Sequence, residues 1–120
     1  MKTQLFDSEL KVMDVLWEKG EMTAGQIAKV LQERIGWNRN TTYTVINKLV
    51  HKEAIVRTEP NFLCRAAVTK EEVQQQKAEE LIDKFFAGSA ELFLSAYVGG
   101  RTLPKDEINR LKQLVEDLGK

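Results

Sequence analysis

The stretch Trp37-Asn38-Arg39-Asn40-Thr41-Thr42-Tyr43-Thr44-Val45-Ile46-Asn47-Lys48-Leu49-Val50 decides how this chain folds. Thr42, Ile46, Leu49 and Val50 recur on one helical face, with Val45 beside them. Asn38 is a suitable N-cap, and the spacing predicts a helix from about Asn38 to Glu53. The opposite face carries Asn40, Tyr43, Thr44, Asn47, Lys48 and His51, short hydrogen-bonding groups and cations without a run of acids. Such a helix fits the major groove of double-stranded DNA, where each base pair presents its own donor and acceptor pattern. Asn40, Thr41, Thr44 and Asn47 are the candidates for base edges, and Arg39, Tyr43 and Lys48 for bases or phosphates. His51, Lys52 and Arg57 complete the expected DNA-contacting set. Lys52 and Arg57 belong at phosphates, which fix register without carrying sequence.

Upstream, Leu10, Met13, Leu16 and Trp17 predict a helix from about Asp7 to Lys19, capped by Asp7 or Ser8 and closed by Gly20. Thr23-Ala24-Gly25-Gln26 is a capping box that opens a second helix, with Ile27, Val30 and Leu31 inside and an end near Arg34 to Gly36. Downstream, the β-rich runs Ile55 to Thr58 and Phe62 to Val68 flank Glu59-Pro60-Asn61, which reads as a hairpin turn. Three helices and a hairpin make a winged helix-turn-helix layout. The first helix of the pair meets the DNA backbone and the second enters the groove.

The remainder is helical. A second capping box, Thr69-Lys70-Glu71-Glu72, opens a helix with Val73, Leu81, Ile82, Phe85 and Phe86 on its apolar positions. Ala90 to Val98 is short and very apolar, and Pro104 stands near the start of a last helix lined by Ile108, Leu111, Leu114, Val115 and Leu118. The expected class is mainly α with a small β-hairpin. It comprises a winged-helix DNA-binding domain over 1–68 and a helical dimerisation domain over 69–120. Burying a large apolar side chain is worth roughly 1.5–3 kcal/mol, and a short chain has few places to hide this set. Leu81, Phe85, Leu92, Phe93, Tyr97, Ile108, Leu111 and Val115 are therefore expected at a two-fold interface. An intramolecular core, or an arrangement part core and part interface, stays open.

With 42% hydrophobic and 30% charged residues, the 120-residue chain has a globular composition. Formal net charge is zero, but residues 1–68 hold ten Lys/Arg against eight Asp/Glu. From Asn38 to Arg57 the only acid is Glu53. No run is long enough to cross a bilayer, and Met1-Lys2-Thr3-Gln4 leads into an amphipathic pattern with no signal core, so a cytoplasmic location is expected. The single Cys64 excludes an internal disulfide framework and the Cys-rich route to a metal, and no cofactor is expected. His51 has no Ser or Cys and Asp arrangement around it, and Gly99-Gly100 lacks the flanks of a phosphate loop, so no enzyme is expected.

The chain resembles the penicillinase-repressor family, the BlaI/MecI/CopY group. Ser8-Glu9-Leu10-Lys11-Val12-Met13-Asp14-Val15-Leu16-Trp17, Met22-Thr23-Ala24 and the stretch from Trp37 to Val50 carry the likeness. Val68 to Glu72 and Leu103 to Ile108 extend it. The resemblance implies a homodimeric repressor on an inverted repeat with TACA/TGTA-like half-sites. It also implies release either by a membrane sensor-protease or, in some members, by copper. Four departures stand out. The protease cuts an Asn-Phe bond where this chain has Ala96-Tyr97, and the paired C-terminal cysteines of the copper-responsive members are missing. The wing is shorter and holds Glu59-Pro60-Asn61 in place of Gly and basic residues, while Glu53 replaces a common helix-ending Gly. The zero net charge and poorly basic wing also fit an alternative, a winged helix serving as a protein-protein interaction module.

Overall fold

The computed structural model describes residues 4–120. The expectation drawn from Met1-Lys2-Thr3 lies outside the described residues. The chain separates into two compact units, Met1–Gln76 and Lys77–Lys120.

The first unit holds α1 (Asp7–Lys19), β1 (Met22–Thr23), α2 (Ala24–Ile35), α3 (Arg39–His51), β2 (Ile55–Thr58), β3 (Leu63–Ala66) and the start of α4 (Lys70–Phe86). The strands form an antiparallel sheet in the order β1-β3-β2. Val12, Met13 and Val15 of α1, Ile27 and Leu31 of α2, and Ile46 and Leu49 of α3 close one core with Ile55 and Cys64 of the sheet. Val73 of α4 joins that core, so the division between units falls within α4 rather than at its start.

Three local features differ from expectation. The N-cap of α1 is Phe6, not Asp7 or Ser8. The Glu9 carboxylate is only 2% exposed and accepts from the Phe6 amide at 2.8 Å, so a buried acid satisfies the helix start from inside. The sheet has a third strand, β1, whose Met22 and Thr23 stand opposite Cys64 and Leu63. Two residues leave no alternation to read, and Thr23 is also the α2 cap, with Oγ1 accepting from the Gln26 amide at 3.2 Å. Finally, β3 is shorter than Phe62 to Val68. Phe62 leaves extended geometry at φ 51°. At the other end the Val68 carbonyl turns to accept from Trp17 Nε1 at 3.0 Å.

The second unit holds the end of α4, then α5 (Ala90–Gly99) and α6 (Lys105–Leu118). Ser89 caps α5, its Oγ accepting from the Leu92 amide at 3.1 Å. Phe86 meets Phe93 edge to face and Phe93 stacks on Tyr97. Neither α5 nor α6 has a buried residue among the described residues. Phe85 is 67% exposed, Val115 60% and Leu118 78%, with Leu81, Leu92, Leu94, Tyr97, Ile108 and Leu114 exposed as well. Val98, Leu103, Ile108, Leu111 and Val115, with Lys112 and Glu116, line a mostly apolar groove.

Candidate nucleic-acid interface

The orientation of α3 follows from its sequence. Asn38 Oδ1 accepts from the Thr41 amide at 2.8 Å and starts the helix. Thr42, Val45, Ile46 and Leu49 are buried, which turns Arg39, Asn40, Thr41, Thr44, Asn47, Lys48 and His51 outward and exposed. No Asp or Glu lies between Arg39 and His51. The helix ends in a Schellman arrangement: the Glu53 amide donates to the Val50 carbonyl at 3.0 Å and the Ala54 amide to Leu49 at 2.9 Å. Glu53 takes the left-handed position at φ 66°.

Several of these residues are already engaged with one another. Arg39 Nη2 donates to Tyr43 Oη at 2.8 Å and its guanidinium lies 4.8 Å from the ring centroid. Both side chains stand over the first turn of α2, 3.7 Å from where a Cβ on Gly25 would sit. Arg57 reaches from β2 back to α3 and donates through Nη1 to Asn47 Oδ1 at 3.2 Å. Thr44, Asn47, Lys48, His51 and Lys52 line one shallow depression on this face.

Lys52, expected at a phosphate, is engaged within the chain. Its ammonium donates to Glu9 Oε1 at 2.7 Å and to the Gln4 carbonyl at 2.8 Å, and it sits 4.4 Å over the Phe6 ring. A carboxylate this buried needs a cationic partner, and Lys52 at the end of α3 supplies it. Lys52 thereby braces the end of α3 against α1.

Two residues that the sequence places in the hairpin, without a role at the DNA face, also lie near this face. Glu59 stands 3.8 Å from Arg57 Nε. Phe62 packs edge to face on Tyr43, ring centroids 6.4 Å apart, and lies under Arg57. Their proximity depends on the turn, where Asn61 and Phe62 both have positive φ. Strand alternation does not encode that geometry. Cys64 is buried, its Sγ donating to the Phe62 carbonyl at 3.4 Å. Burial pushes its thiol above the usual range, with nearby Arg57 pulling the other way. Among the described residues no group of His, Cys, Asp and Glu is arranged to hold a metal, and no helix is long and apolar enough to cross a membrane.

Three helices, a small antiparallel sheet with its wing, and an outward polar third helix define a winged helix-turn-helix protein. The family model described as "Penicillinase repressor" matches residues 5–117, and the chain belongs to that family. It is 23% identical over 116 residues to the penicillinase repressor of Bacillus licheniformis, covering 95% of this chain and 91% of the relative. It is 25% identical over 114 residues to the methicillin resistance regulatory protein MecI of Mammaliicoccus sciuri, covering 93% of each. A solution structure of the DNA-binding domain of the repressor BlaI is similar to 60% of this chain and 93% of its own length, with 25% identity and a TM-score of 0.54.

Proposed function

We propose that this protein is a transcriptional repressor that binds an inverted-repeat DNA operator as a homodimer. The observation that carries the reading is the outward face of α3: a helix anchored by four buried residues and presenting Arg39, Asn40, Thr41, Thr44, Asn47, Lys48 and His51 with no carboxylate among them. Family membership and the likeness to the BlaI DNA-binding domain support it. Asn40, Thr41, Thr44 and Asn47 read base edges, Arg39, Tyr43 and Lys48 reach bases or phosphates, and Arg57 holds a phosphate from the wing side. His51 and Lys52 complete the DNA-contacting set, Lys52 at a phosphate while it also braces the helix end.

The dimer is supported by α5 and α6, which leave Leu92, Tyr97, Leu114, Val115 and Leu118 exposed within one copy. A second copy that covers them places two reading helices under two-fold symmetry, which an inverted repeat mirrors. A sensor-protease, if it serves this repressor, meets Ala96-Tyr97 inside α5 in place of the Asn-Phe bond.

Fluorescence-anisotropy titration of a duplex with inverted TACA/TGTA half-sites, beside a scrambled duplex at two salt concentrations, tests the reading. One dimer per duplex with about 10³-fold preference or more is expected. Equal, weak and salt-erased binding to both duplexes, followed by failure of a random-sequence selection, would favour the protein-interaction module instead.

A further inference from the structure

Phe62 combines two features that burial does not explain. Its backbone sits at φ 51°, a region bulky side chains avoid, and its ring is 38% exposed. What the ring touches is specific. The Arg57 guanidinium stands 4.7 Å from its centroid, and the Tyr43 ring meets it edge to face at 71°. Tyr43 carries Arg39, and Arg57 donates to Asn47. The run Arg39, Tyr43, Phe62, Arg57, Asn47 therefore leaves α3, crosses the wing and returns to α3. The Phe62 carbonyl is held separately by the Ala24 amide at 2.9 Å, so the turn backbone has an anchor that does not need the ring.

Arg57 also has a competing partner, since Glu59 Oε1 lies 3.8 Å from its Nε. A guanidinium paired with that carboxylate is neutralised for phosphate, whereas one lying over an aromatic face keeps its charge and its outward donors. The geometry points to Phe62 as a positioning residue for DNA binding: its ring holds the Arg57 guanidinium beside Asn47, in competition with the Glu59 carboxylate, where a backbone phosphate can take it. This rests on the DNA-binding reading above.

The full chain tests it with Phe62→Leu, Phe62→Tyr and Arg57→Gln. Without DNA, the Arg57 δ-methylene protons show an upfield ring-current shift by NMR in the parent and in Phe62→Tyr, and lose it in Phe62→Leu. With the inverted-repeat duplex over a salt series, Phe62→Leu binds about two- to fivefold more weakly. Its salt slope falls by up to about one, toward that of Arg57→Gln, while Phe62→Tyr keeps the parent values. Thermal melts of each variant show that the fold is retained. Parent-like affinity and slope in Phe62→Leu overturn the proposal, as does weaker binding with an unchanged slope, which marks packing alone. If the parent binds no duplex at all, the DNA reading fails and the proposal falls with it; binding by the parent with an unmoved slope in Phe62→Leu removes the proposal only.

Discussion

Thr42 is fully buried on the inner face of α3, and its hydroxyl has no hydrogen-bond partner among the described residues. An unmet buried hydroxyl is destabilising by about 1–3 kcal/mol relative to an apolar group of the same shape. Thr42→Val keeps the β-branched outline and removes the oxygen. We expect it to stabilise by about 1 kcal/mol, read as a rise in Tm of roughly 4–8 °C; an unchanged or lower Tm would mean that the hydroxyl has a partner. Cys64 makes a second residue-scale case. Its ionisation is held above the usual thiol range by burial. A group raised in this way stabilises fully at pH values below the unfolded thiol range, near about 8.5, and that contribution fades as pH climbs through the folded value. The native protein should therefore resist a thiol-specific reagent at neutral pH. Its melting temperature should also drop more steeply above about pH 9 than that of Cys64→Ala. Prompt labelling of the native fold would contradict the burial.

At the scale of elements, the end of α3 and the wing carry the instructive departures. Glu53 occupies the left-handed C′ position of a Schellman motif whose flanking residues, Leu49 and Ala54, are both buried. A side chain there is strained, and a carboxylate beside the carbonyl end of a helix is electrostatically misplaced. Glu53→Gly should raise stability by about 1 kcal/mol in a denaturant melt with unchanged m-value; a lower midpoint would show that Glu53 has a stabilising contact. Glu59 opposes Arg57 from an exposed position. Glu59→Gln should tighten DNA binding about two- to fivefold at low salt, with the gain shrinking as salt rises. Equal affinity at every salt would detach the wing from the DNA contact. The α-helices were legible because Leu10, Met13, Leu16 and Trp17, or Ile46, Leu49 and Val50, repeat at helical spacing and Thr23, Asn38 and Thr69 announce the starts. The outward residues of α3 were legible for the same reason. Strand β1 was hidden by its two-residue length, and the α1 cap because its satisfying groups lie 3 and 43 residues apart in Phe6–Glu9 and Glu9–Lys52. The role of Lys52 followed the same rule, since nothing local to Lys52 names Glu9 as its partner.

For the whole molecule, the decisive property is the unpartnered apolar surface of the second unit. Val115 is 60% exposed and lines the groove with Ile108 and Leu111. Val115→Glu leaves the single copy with little to lose. Under the homodimer proposal, we expect helix content by circular dichroism to persist while sedimentation shifts from two chains to one. Operator affinity should fall by about 10² or more once two reading helices are no longer linked. A variant that still sediments as a dimer would move the interface elsewhere. The absence of carboxylates on α3, set in a chain whose formal charges cancel, has a consequence for the cell. Chromosomal DNA holds a strongly basic protein everywhere along its length, because phosphate attraction is indifferent to sequence. With its formal charges cancelling, this chain has only the few cations around α3 and the wing to attract phosphate, so under the DNA-binding proposal its sequence-independent hold on DNA is weak and readily lost with salt.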